Sequence, residues 1–173
     1  MNAPITYVAT GDSFITSPLN LCGNDKFEKI KDLIYKSEVR FTNLEVTVHD
    51  FEGYPSAFSG GTWAIANPNV LKDIKYLGFN LLNIANNHTL DYSHNGLEAT
   101  EKYLKDFDFV YAGAGSNMAA ASDPKYLNCS SGRVGFVAAT STFHESWIAG
   151  EQRRDMIGRP GVNGLRHEST HII

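Results

Sequence analysis

Four short apolar runs, separated by stretches of helical period, narrow the fold before any single residue is considered. Ile5–Thr10 (ITYVAT), Val39–Val48 (VRFTNLEVTV), Asn80–Ala85 (NLLNIA) and Phe109–Ala112 (FVYA) read as strands. Between the first two, Asn24 caps a helix predicted to reach Ser37, with Phe27, Ile30, Leu33 and Ile34 along one face. Asn67-Pro68 opens a second helix carrying Val70, Leu71, Ile74 and Leu77, and Gly78 ends it. Ser93 is expected to cap a third, running to Phe107 with Leu97, Thr100, Tyr103 and Leu104 on one side. Lys125–Cys129 and Arg133–Thr140 read as a hairpin turning at Ser130-Ser131-Gly132. From Thr142 onward the chain is polar, Arg-rich and without clear period.

Strand, helix, strand, helix, strand, helix, strand predicts an α/β fold with a mainly parallel sheet and flanking helices. Crossovers of this kind are right-handed, so the strands run the same way and their carboxyl ends share one edge. Ligands of open parallel sheets bind outside those carboxyl ends. That rule selects which polar residues matter.

Composition removes several function classes. The 173 residues suit one domain, and the net charge of −4 comes without any basic run longer than Arg153-Arg154, which argues against a nucleic-acid partner. No apolar stretch approaches the ~20 residues of a membrane span. The start, MNAPITYVATGD, lacks a basic region and predicts no signal peptide, so the chain as given reads as soluble. Cys22 and Cys129 are far apart and read as two unpaired small hydrophobes.

The strand ends carry unusual polar groups. The first run leads to Asp12, the second holds Asn43 and Glu45, and the third leads into Asn86-Asn87-His88 with Asp91 three residues on. Each alone has a plain structural use: an Asp after Gly forms turns, and a lone strand Glu faces solvent. Together they point to a cation. Glu45 sits between Leu44 and Val46 in a run apolar enough to be covered, and an unpartnered buried carboxylate costs several kcal/mol. A divalent metal accepts carboxylate oxygen, amide oxygen and imidazole nitrogen, and water on such a metal ionises near neutral pH. A carboxylate beside an imidazole, as His88 and Asp91 are spaced, fixes the tautomer and suits the ring to general acid work. The loop from His49 to Ala66, with Gly60-Gly61 and the aromatics Tyr54, Phe58 and Trp63, is long enough to read as a functional segment.

The strings GDSF at Gly11–Phe14, NLE at Asn43–Glu45, ANNHTLDY at Ala85–Tyr92, GAG at Gly113–Gly115 and RPGVNGLR at Arg159–Arg166 resemble the CapA (PgsA) family of bacterial capsule and poly-γ-glutamate synthesis proteins. That family is placed in the calcineurin-like metallophosphoesterase superfamily. The resemblance implies a four-layer sandwich of two sheets flanked by helices, of which residues 1–173 are the N-terminal portion of a single, longer domain. It implies a metal-dependent phosphoesterase-like hydrolase with Asp12, Glu45 and Asn87 as ligands of one or two divalent ions (Mn, Fe or Zn). His88 and Asp91 become its general-acid pair, with Asn43 and Asn86 as hydrogen-bonding supports. Two departures stand out: Phe14 occupies the place of a usual His ligand, and His144, His167 and His171 match no later ligand motif, so the metal site is incomplete in this chain. The expected partner is a phosphoester substrate or an anionic polymer, with self-association through an incomplete sheet. The alternative is a non-catalytic polymer-binding or export component, for which Arg153, Arg154, Arg159 and Arg166 would form a cationic strip. A parent protein of this kind is expected at the cell surface or membrane, otherwise in the cytoplasm.

Overall fold

The computed structural model describes residues 3–19, 21, 23–166 and 170; Cys22, His167 and His171 lie outside them. Four strands, β1 (Tyr7–Ser13), β2 (Val39–Leu44), β5 (Leu81–Asn83) and β6 (Val110–Ala112), form one sheet in the order β1-β2-β5-β6. All three pairings are parallel. Between β2 and β5 lie β3 (Thr47–Val48) and β4 (Ile65–Ala66), which pair with each other in a separate parallel ladder. The expected α/β class, with a mainly parallel sheet and flanking helices, is the class observed.

Strand order explains the layering. When each right-handed crossover moves one strand in the same direction, every connecting helix falls on the same face. Helices α1 (Asp25–Ile34), α2 (Val70–Tyr76) and α3 (Ser93–Asp106) accordingly bury Ile34, Val70, Leu71, Ile74, Leu97 and Leu104 in one cluster with Leu44, Leu82, Ile84 and Tyr111 of the sheet region. The other face is lined by Ala85 and Ala112 and receives Phe136 and Ala138. Phe136 belongs to the antiparallel hairpin of β8 (Lys125–Cys129) and β9 (Gly132–Phe136), and its ring meets Phe41 edge-on at 5.5 Å.

Local chemistry sets the element ends. Asn24 caps α1 as expected, its Oδ1 accepting from the Lys26 amide. Ser93 is not a cap: it is the first residue of α3 with φ of 59°, and its hydroxyl donates instead to the Tyr54 carbonyl. The predicted long second strand is two, because Glu45 and Val46 leave the main sheet before β3 pairs elsewhere. The Arg-rich tail is also more ordered than its sequence suggests. After β7 (Ala114–Gly115) and α4 (Met118–Ser122), β10 (Gly161–Val162) returns to pair antiparallel with β7. Among the described residues, no helix is long and apolar enough to cross a membrane.

His49, directly after β3, is 1 % exposed, and neither ring nitrogen has a hydrogen-bond partner among the described residues. Its ring packs edge-on against Tyr92 at 4.7 Å, with the Glu52 carboxylate 3.8 Å from Nδ1. Burial holds the imidazole below its ordinary pKa, against the opposing pull of Glu52 and Asp50. The folded protein therefore keeps His49 neutral where the unfolded chain takes up a proton. Its contribution is intact above about pH 6.5 and falls as the pH drops toward the depressed folded value. Urea midpoints at pH 7 and pH 5 should fall less for His49→Leu than for the unaltered chain. Equal falls would contradict this account.

Candidate metal and general-acid site

A row of polar residues crosses three strands in register. Asp12 of β1 lies opposite Asn43 of β2, and Asn43 lies opposite Asn83 of β5. A β-bulge makes the first match: Ala9 pairs with Phe41 but Asp12 pairs with Asn43, so β1 carries one extra residue over that interval. Without it, Gly11 rather than Asp12 would stand beside Asn43. All three residues lie near the carboxyl ends of their strands, and Glu45 and Asn86 follow just beyond them.

Asn43 is the hub. Its Nδ2 donates to Asp12 Oδ1 at 2.8 Å and to Glu45 Oε2 at 3.2 Å. Its Oδ1 accepts from Asn83 Nδ2 at 2.7 Å and Asn86 Nδ2 at 3.1 Å. Two amide donors on the oxygen fix which way the Asn43 amide faces, so its nitrogen must point at the carboxylates. Asn86 also donates to the Leu44 carbonyl at 2.8 Å, which ties the turn after β5 to the end of β2.

The carboxyl groups are unequal. Burial pushes Glu45 above the usual carboxylate range, and Asp12 beside it adds to the rise, while His88 pulls the other way. Asp12 is held low, chiefly by the Asn43 amide and then by the Glu45 carboxyl. Two crowded acids that lack a countercharge divide a proton in this manner. The same crowding is what a cation would relieve.

His88 and Asp91 sit in the turn between β5 and α3. His88 Nδ1 lies 2.6 Å from Asp91 Oδ2, with His88 6 % and Asp91 0 % exposed. The turn is held by Thr89, whose hydroxyl accepts from the Asn86 amide and donates to the Ile84 carbonyl. Asn86 Oδ1 accepts from the His88 amide at 3.0 Å. Phe14 meets the His88 ring edge-on at 5.3 Å. With Nδ1 engaged by Asp91, Nε2 is the atom left to act, and it has no hydrogen bond among the described residues.

Asp91 also anchors the long loop. Its Oδ2 accepts from the Ala64 amide at 2.7 Å and its Oδ1 from the Gly60 amide at 3.3 Å. The Ser56 amide donates to the Asp91 carbonyl at 2.8 Å. Asn87 Nδ2 donates to the Gly60 carbonyl at 3.0 Å, which leaves Oδ1 without a partner among the described residues. A Cβ on Gly60 would run into the Asn87 backbone and amide. Gly60→Ala is therefore expected to displace Asn87 and to lower stability by about 1–3 kcal/mol. An unchanged urea midpoint would show that the loop does not press on Asn87.

The structure thus links Asp12, Asn43 and Glu45 directly, ties Asn86 to them, and sets His88 close enough to Glu45 to influence its charge. Asn87 is turned toward the loop. Among the described residues, no group of three or more His, Cys, Asp and Glu side chains gathers for a metal ion. No contact joins the Asn87 amide oxygen to Asp12 or Glu45 among the described residues. What the chain does offer is two adjacent carboxylates, Asp12 and Glu45, a hard-oxygen pair of the kind that suits Mn and is accepted by Fe and Zn. The residues fit the acidic half of a divalent ion's shell. His144 instead stacks on Phe58, at 4.2 Å and 13°, and accepts from the Ser146 amide. Of the arginines expected to form a strip, Arg159 donates to the Ile148 carbonyl and Arg153 lies 3.9 Å from Asp155, so both are engaged within the tail.

The sequence assigned no site role to Asn83, Gly60 or Ala64. Asn83 had a usable signal, since it is the polar residue inside the third apolar run, which Asn80 opens, and it lies opposite Asn43. Gly60 and Ala64 contribute only backbone amides, which no side-chain pattern reveals.

The site as a whole is a parallel α/β unit with acids and amides across its strand ends and a buried imidazole–carboxylate pair beside them. Comparison with known proteins is more specific. The chain belongs to the family described as bacterial capsule synthesis protein PGA_cap, whose sequence model matches residues 6–170. It is 32% identical over 171 residues, 97% of its length, to the Sinorhizobium fredii proteins y4sH and y4uA, both described as uncharacterized. It is 30% identical over 156 residues, 86% of its length, to the capsule biosynthesis protein CapA of Bacillus anthracis. The chain spans 37% of the length of each of these relatives.

Proposed function

We propose that this site belongs to a metal-dependent hydrolase of capsule-polymer metabolism, of the poly-γ-glutamate type, acting on a phosphoester. Asp12 and Glu45, with Asn87, would hold a divalent ion or a pair of ions. The observation that carries the reading is the in-register row from Asp12 to Asn83 next to the 2.6 Å contact of His88 with Asp91. Acids alone would suggest storage of a cation; an oriented imidazole beside them adds a proton donor.

When bound, the ion supplies Lewis acidity and a nucleophilic water at neutral pH. The chain's own residues do the rest. Asn83 and Asn86 orient Asn43, and Asn43 holds the two carboxylates at a set spacing. Asp91 keeps a proton on His88 Nδ1 and supports the charge of the ring once Nε2 is protonated too. As the phosphorus–oxygen bond to the leaving group breaks and the oxygen of water is gained, Nε2 gives its proton to the departing oxygen. His88 is recharged from solvent.

The test is turnover of bis(p-nitrophenyl) phosphate by the purified chain with and without added Mn, Fe or Zn. Metal-dependent release of p-nitrophenol is expected. Metal uptake without turnover would contradict the hydrolase and favour a binding or export component acting on an anionic polymer. A role in capsule synthesis fits a parent protein at the cell surface or membrane.

A further inference from the structure

Phe14 is a large apolar residue left 45% exposed at the mouth of a site whose other members are polar. It is not a loosely held side chain. Ser13 before it is bonded through its hydroxyl to Thr42 at 2.6 Å, and its carbonyl accepts from the Glu45 amide at 3.3 Å. Ile15 after it packs against the main core. The backbone on both sides is fixed, so the ring is presented in a set position, edge-on to His88.

That position has a consequence for the substrate. His88 Nδ1 is taken by Asp91, so a departing oxygen takes its proton from Nε2 of a ring against which Phe14 packs. We propose that Phe14 is a specificity-determining residue: its exposed face forms the subsite for the leaving group and selects alcohols that carry a ring over open-chain alcohols. The proposal rests on the hydrolase reading above. An offset or edge contact between Phe14 and a ring is worth about 0.5–1.5 kcal/mol beyond area burial, a preference of roughly 2- to 10-fold. A small polar leaving group would leave the ring in water and gain nothing from it.

The experiment compares kcat/KM for two methylphosphonate esters, one with a phenyl leaving group and one with an open-chain alkyl alcohol of matched acidity. Metal-loaded chain should favour the phenyl ester by roughly 2- to 10-fold after correction for acidity. Phe14→Ala should collapse that ratio to near one, and Phe14→Leu, which keeps an apolar cover over His88, should fall between. A ratio unchanged in Phe14→Ala, at an unchanged urea midpoint, overturns the proposal and leaves the hydrolase reading standing. No turnover of either ester by the unaltered chain overturns the hydrolase reading, and this inference with it.

Discussion

Replacing Asp91 by alanine is expected to lower the stability of the chain by about 3–5 kcal/mol, the usual cost of removing one partner from a buried, hydrogen-bonded pair. The carboxylate is fully buried and accepts from the Gly60 and Ala64 amides while pairing with His88 Nδ1. Alanine leaves all of these donors facing a cavity. Asparagine keeps the volume but turns an NH2 group toward a donor, so Asp91→Asn should cost less, about 1–3 kcal/mol. Urea unfolding measures both. Hydrogen exchange adds a second reading, since the Gly60 and Ala64 amides should lose protection in either variant. A loss below about 0.5 kcal/mol, the scale of ordinary surface changes, would contradict the anchoring role.

The second large effect concerns the proton donor. His88→Ala should lower kcat for phenyl and alkyl esters, whose leaving groups need a proton, by about 10²–10⁴-fold, the range for a positioned acid or base. Metal uptake should be retained, because the carboxylates are held by Asn43 and not by the imidazole. The loss should be much smaller for p-nitrophenyl esters, whose leaving group departs without protonation. Comparable turnover by His88→Ala, or an equal loss across leaving groups, would remove His88 as the acid.

Much of the sheet was legible because its strands are apolar runs broken by turn residues, and α1 because Asn24 and its apolar face mark both start and side. The strands that escaped share one physical cause: pairings decided by distant residues. β3 and β4 have two residues each and no period, and they exist because the chain after Glu45 meets Ile65. β10 pairs with β7 from more than forty residues away. Helix α4 is five residues, Met118 followed by four small side chains, too short to show a stripe, although Asn117 caps it. Ser93 misled because its residue type suits a cap, while the turn from Asp91 required a positive φ instead.

The polar cluster could be read in advance to a similar depth. Asp12, Asn43, Glu45 and the Asn86–Asp91 segment drew notice because carboxyl ends of parallel strands converge. Their relative placement could not, since it depends on the bulge in β1 and on the amide orientation of Asn43. The anchoring of Asp91 by backbone amides from a patternless loop was equally invisible. In each case the missing information is geometric, a register or a backbone direction, rather than chemical.

Equilibrium dialysis against Mn, Fe and Zn tests the central claim, that two acids and an amide row form a cation site. The unaltered chain should retain metal and gain stability with metal concentration, by about 2.7 kcal/mol at a hundredfold excess over Kd. Glu45→Ala and Asp12→Ala should each abolish retention while leaving the fold intact. Failure of the unaltered chain to retain any of the three metals, or equal retention by the Glu45→Ala variant, would contradict it.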